Sequence, residues 1–231
     1  MTTFQTLFEQ YAAIALEKQW VLQDLIEEAE WRVDLDEGIL TINDSDTFPV
    51  QLIGSDADAD QSWLWAWANP HLDLPASVLQ AAATIRTFGE KEQVAEFTQP
   101  QLSLQSVTGH QLAMVTANIC NADGYFVSPY DGGSIFLLLT APMVQAKMKA
   151  KPTRMVNVFN ELIDTFPINH RRGFIAYLNA KGFEANINQT EDETNIIARN
   201  KQNKYIRACF DEWDRLVELT TTVNPDEKFV S

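Results

Sequence analysis

The stretch Trp31-Arg32-Val33-Asp34-Leu35-Asp36-Glu37-Gly38-Ile39-Leu40-Thr41-Ile42 decides the fold. Apolar residues recur at every second position through Trp31, Val33 and Leu35, the period of a strand with one buried face. Glu37-Gly38 supplies a turn, and Leu40 and Ile42 resume on a second strand, so the stretch predicts an antiparallel hairpin. A second turn at Asp44 to Asp46 leads into Phe48, Val50 and Leu52, and a loop over 54–61 reverses the chain into residues 62–68. The expectation is a four-stranded antiparallel meander. Residues 3–29 feed it with Phe4, Phe8, Tyr11, Ala15, Leu22, Ile26 and Ala29 at three- and four-residue steps, the pattern of a long amphipathic helix.

Further along, Pro75 opens a helix that the sequence stops at Gly89. Residues 98–105 read as irregular or weakly extended, and a helix over 106–120 is poorly marked because Gly109 lies early in it. Residues 125–128 and 134–140 read as a hairpin around Pro129-Tyr130-Asp131-Gly132-Gly133. Residues 143–152, with Lys147, Lys149, Lys151 and two flanking prolines, form the expected linker. After it come two helices, at 155–166 and from Phe174 to Gly182, and four strands at 183–187, 195–199, 204–210 and 215–221. The fold class predicted is α+β, with two helix-plus-antiparallel-meander domains over 1–142 and 153–231.

The 231 residues are 45% hydrophobic and 21% charged, a globular composition. A chain of this length buries roughly 70% of its unfolded surface, so it needs no structural metal or disulfide. Its net charge is -15, and residues 1–100 carry 4 Lys or Arg against 18 Asp or Glu, while residues 101–231 carry 13 against 14. An acidic first part repels phosphate backbones and anionic lipid heads, which argues against nucleic acid and membrane partners and leaves a basic protein partner, a cation or simple solubility as the readings of that charge. The amino terminus lacks the basic and apolar regions of a secretory signal, no apolar run approaches the roughly 20 residues of a membrane helix, and Cys120 and Cys209 lie far apart. Those features together predict a cytoplasmic protein.

Three segments carry a resemblance: Leu35-Asp36-Glu37-Gly38, then Phe48-Pro49-Val50-Gln51-Leu52-Ile53-Gly54-Ser55, then Trp63-Leu64-Trp65-Ala66-Trp67-Ala68-Asn69-Pro70. Together they resemble an uncharacterised bacterial family of unknown function whose members share a W-L-W-A-W-A-N-P core after an acidic strand pair. Thr87-Phe88-Gly89-Glu90 and Ala122-Asp123-Gly124-Tyr125 are similar to weaker family positions, so the resemblance spans about residues 5–142. Family members tend to carry Tyr-Arg where this chain has Tyr125-Phe126, and a role for that Arg does not transfer. The resemblance implies no activity.

In a strand, Trp63, Trp65 and Trp67 would share one face and Leu64, Ala66 and Ala68 the other. Two arrangements follow: a packed layer, or an aromatic cleft for a flat or apolar ligand with Asn69 and His71 at its mouth. Asp56, Asp58 and Asp60 alternate like the opening of a calcium loop, but Gln61 and Trp67 stand where that loop needs Gly and Glu, so a solvated turn is expected. Arg171 and Arg172 sit at a predicted helix start, where cations are unfavourable. They would either bend into solvent or onto an acidic neighbour, with contact to the acidic first domain across a domain interface favoured, or hold an anion. No catalytic, metal or cofactor signature is present, and His110 and Cys120, about 15 Å apart along one helix, are too distant for proton transfer. The function expected is a non-enzymatic binding or protein-interaction protein using its acidic surface, such as an inhibitor or immunity-type protein. The alternative is a small-ligand binder or unorthodox enzyme with a pocket walled by Trp63, Trp65 and Trp67.

Overall fold

The computed structural model describes residues 2–26, 29–149 and 151–222. It is a mixed α+β fold with two antiparallel sheets and two compact units, Met1–Phe8 with Lys18–Met148 and Glu9–Glu17 with Lys149–Ser231. The amino-terminal helix α1, Phe4–Ile26, contributes its middle to the second unit and its two ends to the first. The sequence places the end of this helix at residue 29; residues 27 and 28 lie outside the described residues.

In the first unit the expected meander is present as β1 (Trp31–Asp34), β2 (Ile39–Ile42), β3 (Asp46–Ala57) and β4 (Ser62–Trp65), paired in that order. The sheet is larger than predicted. β5 (Gln101–Ser103) pairs with β4, and the hairpin of β6 (Gly124–Tyr130) and β7 (Gly133–Leu139) joins along β3, giving seven strands. β3 runs past Gly54 to Ala57, where polar and small residues read as a loop, because pairing with β4 and β7 holds both its edges. A register shift between Leu52 and Gly54 accommodates the long strand. At β6, Gln19 acts as a surrogate strand: its side chain accepts from the Tyr125 N–H at 3.0 Å and donates to the Tyr125 carbonyl at 2.9 Å.

Helices pack on this sheet. α2 (Ala76–Glu92) continues through Gly89, where the sequence predicted a stop, and ends at Gln93, whose φ of 59° is the left-handed cap. α3 (Ala95–Thr98) is a single turn that buries Phe97. α4 (Gly109–Ile119) starts at the glycine that obscured it, because Thr108 caps it: the Thr108 hydroxyl accepts from the Gln111 N–H at 3.1 Å, and the Gln111 side chain accepts from the Thr108 N–H at 2.9 Å. Val21, Leu22, Leu40, Val50, Val78, Leu137 and Val144 belong to one buried cluster. α5 (Pro142–Lys147) occupies part of the stretch read as a linker.

The second unit holds residues 9–17 of α1, α6 (Pro152–Thr165), α7 (His170–Ala180) and a four-stranded sheet ordered β11-β10-β9-β8. Its strands are β8 (Glu184–Gln189), β9 (Glu193–Arg199), β10 (Tyr205–Asp211) and β11 (Leu216–Thr222). Phe159, Phe174 and Phe210, all fully buried, stack edge-on or tilted with centroids 5.1 and 5.9 Å apart. A charged group is also buried in this unit. Glu17 accepts from the Tyr177 hydroxyl at 2.7 Å and pairs with the Lys181 ammonium at 2.9 Å. Burial, with the Glu17 carboxylate beside it, pushes the Tyr177 phenol well above its ordinary range.

Candidate functional site

The tryptophans fall into two groups. β4 ends at Trp65, and Ala66–Ala68 form a turn of 3₁₀ helix that breaks the alternation, so Trp67 leaves the face shared by Trp63 and Trp65. Trp63 and Trp65 are both 0% exposed. Their rings meet edge-on at 5.2 Å, Trp63 meets Phe136 at 5.0 Å and Trp65 meets Phe97 at 5.9 Å. The Trp65 indole N–H donates to the Glu96 carbonyl at 2.9 Å. Trp67 is half-buried, with the Arg86 guanidinium 4.6 Å from its ring. The alternative of a cleft walled by three indoles is therefore corrected: Trp63 and Trp65 are core, and Trp67 packs elsewhere.

Gly54 explains why the indoles could sink so far. A Cβ there would stand 2.5 Å from the Trp63 ring, so only glycine leaves room for the indole on the β3 backbone.

A cavity does exist, on the opposite face. Ser55 pairs with Leu64 on one side and Ile135 on the other, and these three with Ala66, Leu72 and Tyr130 line a pocket of about 220 Å³. Asn69 lines it too, while its side-chain oxygen accepts from the His71 N–H at 3.0 Å in an Asx turn. His71 is exposed and is not among the lining residues. Parity separates the two faces without saying which one points inward; the pocket belongs to the Leu64 and Ala66 face.

Among the described residues no carboxylate lines this pocket, but the turns that end its strands carry three. Asp58 and Asp60 lie on the β3–β4 turn and Asp131 on the β6–β7 turn, and the two turns are joined by the Asp58 N–H donating to the Gly132 carbonyl at 3.0 Å. Tyr130, 48% exposed, is pinned there by its hydroxyl donating to the Asp56 carbonyl at 2.8 Å. The Asp56 carboxylate is occupied, accepting from the Ser134 N–H at 2.6 Å. Among the described residues Asp58, Asp60 and Asp131 form no ion pair, and no group of three or more His, Cys, Asp or Glu has the geometry to hold a metal. Chemically, the pocket can seat one apolar or aliphatic side chain, and the turns at the end of its strands carry negative charge.

Arg171 and Arg172 resolve their mismatch with the helix dipole through neighbouring carboxylates. Asn169 caps α7 by accepting from the Arg172 N–H at 2.8 Å and donates to Asp214 at 2.8 Å. Arg171 pairs with Asp214 at 2.7 Å and Arg172 with Glu9 at 3.3 Å. Glu9 also accepts from the Asn169 N–H at 3.0 Å, and both carboxylates belong to the same compact unit as α7. They supply the negative charge that the helix start favours.

His110 Nδ1 lies 2.9 Å from the Tyr125 hydroxyl, and burial lowers the His110 pKa and raises that of Tyr125. Burial pushes the Cys120 thiol up to about 11, which disfavours the thiolate a nucleophile needs. Cys120 and Cys209 are both free.

A family model described as a family of unknown function (DUF6882) matches residues 5–142. No curated protein and no solved structure matches the chain. No described helix is long and apolar enough to cross a membrane.

Proposed function

Because the chain belongs to DUF6882, a family of unknown function that brings no activity with it, we propose that it is a non-enzymatic protein-interaction protein of a bacterial cytoplasm. Its partner is a basic protein, seated at the paired β3–β4 and β6–β7 turns. The observation that carries this reading is a pocket lined by Leu52, Leu64, Leu72 and Ile135 with Ser55, Asn69 and Tyr130, on strands whose turns carry three exposed carboxylates, Asp58, Asp60 and Asp131, that form no ion pair among the described residues. Interfaces concentrate their energy where an anchor side chain fills a desolvated pocket inside a polar rim, and opposite charge across the rim speeds association and fixes register. The partner chemistry that matches is an apolar anchor flanked by Lys or Arg. An inhibitor or immunity-type protein covering a basic effector is one form of it. Two free cysteines suit the reducing compartment.

Capture from a bacterial lysate on the immobilised full chain, across a series of salt concentrations, tests this. The expected result is a basic protein that elutes as the Debye length shrinks from about 10 Å at 0.1 M toward about 3 Å at 1 M salt. The same protein should be lost to Asp58→Asn/Asp60→Asn/Asp131→Asn. Capture that persists at high salt and in that variant would remove the electrostatic basis.

A further inference from the structure

The second unit contains a cavity of about 550 Å³, independent of the acidic turns, whose lining is cationic. Lys149 and Lys151 come from the segment around the start of α6, Lys181 from the end of α7, and Lys201 and Lys204 from the β9–β10 turn. Lys181 is committed to the buried Glu17 carboxylate. The other four are exposed and form no ion pair among the described residues. Glu184, on an adjoining depression, is itself paired with Arg199 at 3.9 Å. Four like charges around one cavity repel each other, and nothing in the unit's packing requires them.

Asn200 supplies a second, separate observation. It is 4% exposed and lines the same cavity. Its Oδ1 accepts from the N–H groups of Gln202 at 3.0 Å and Lys204 at 2.9 Å, which fixes the orientation of the amide. Nδ2 is then left as a buried donor with no partner among the described residues. Buried donors are almost always satisfied, so one without a partner on the wall of a lysine-lined cavity marks the place for an acceptor.

We propose that this cavity binds a compact, soluble polyanion carrying several phosphate groups. Four free ammonium groups match a ligand of three or four negative charges, and lysines hold phosphate oxygens as point charges without demanding the planar fork geometry of a carboxylate. The volume lies within the roughly 300–1,000 Å³ usual for small-ligand sites. No aromatic side chain lines it among the described residues, so a nucleobase finds no stacking partner and the phosphates themselves are what is recognised.

Calorimetric titration of the full chain with inorganic triphosphate at low ionic strength tests the proposal. Binding should be one to one. It should weaken about tenfold or more in Lys201→Gln/Lys204→Gln, since hydrogen bonds to a charged group carry about that factor. Lys91→Gln, on the other unit and paired with Glu92, should bind as wild type. Asn200→Asp keeps an oxygen for the Gln202 and Lys204 N–H groups but replaces the orphan donor with an anion; it should melt no lower than wild type while losing triphosphate affinity. Absent binding, or equal binding by the double lysine variant, overturns the site. Sedimentation with phosphatidylserine vesicles that triphosphate does not compete away would assign the lysines to a lipid surface and overturn the soluble ligand.

Discussion

Gly54 decides how the first unit packs, because the Trp63 indole occupies the space its side chain would take. Gly54→Ala should therefore destabilise the fold by about 1–3 kcal/mol through overpacking, measured by urea unfolding. Glu17 plays the opposite part in the second unit, where it is the carboxylate that balances a Lys181 ammonium only 4% exposed. Glu17→Gln leaves that cation buried without its counter-charge and should cost about 3–5 kcal/mol by the same measurement, whereas Tyr177→Phe removes one hydrogen bond to a charge and should cost about 1.5–3 kcal/mol. At this scale the sequence showed part of the picture. Alternation placed Trp63 and Trp65 together, but it could not foresee that Trp67 turns away, because the 3₁₀ turn after β4 has no period-two signature. Nor does any local signal connect Glu17 to Lys181 across 164 positions.

Elements were legible where periodicity is strong and chain ends are marked. β1, β2, β9 and β10 carry alternating apolar residues and appear within a few residues of their predicted places. α4 was obscured because glycine at its first position reads as a breaker, while the signal that starts it, Thr108 three residues before Gln111, is a capping box. Thr108→Ala should lower stability by about 1 kcal/mol, seen as a lower melting temperature, since it strips the cap from a helix whose inner face is buried. The far end of β3 and the joining of the β6–β7 hairpin to it escaped detection for another reason. That pairing links Val50 to Leu139, and strand partners so distant in sequence leave no local pattern. The candidate pocket inherits this limit, because Ile135 joins Ser55 and Leu64 only through it.

Across the whole molecule, charge is the property most readily read from the sequence, and its uneven division leads to the acidic turns of one unit and the lysine cavity of the other. Protonation should couple to stability as well. Burial lowers the His110 and His170 pKa values from 6.5, so below that value the unfolded chain binds more protons than the folded one. Their contribution is full above pH 6.5 and declines as pH falls through it; the urea midpoint should drop between about pH 7.5 and about pH 5.5, and His110→Gln should flatten the decline. The central claim concerns where a basic partner sits. Hydrogen–deuterium exchange on the captured complex reads this directly: protection confined to peptides spanning 55–64 and 127–135 is the result predicted, and unchanged exchange there with protection elsewhere would contradict it.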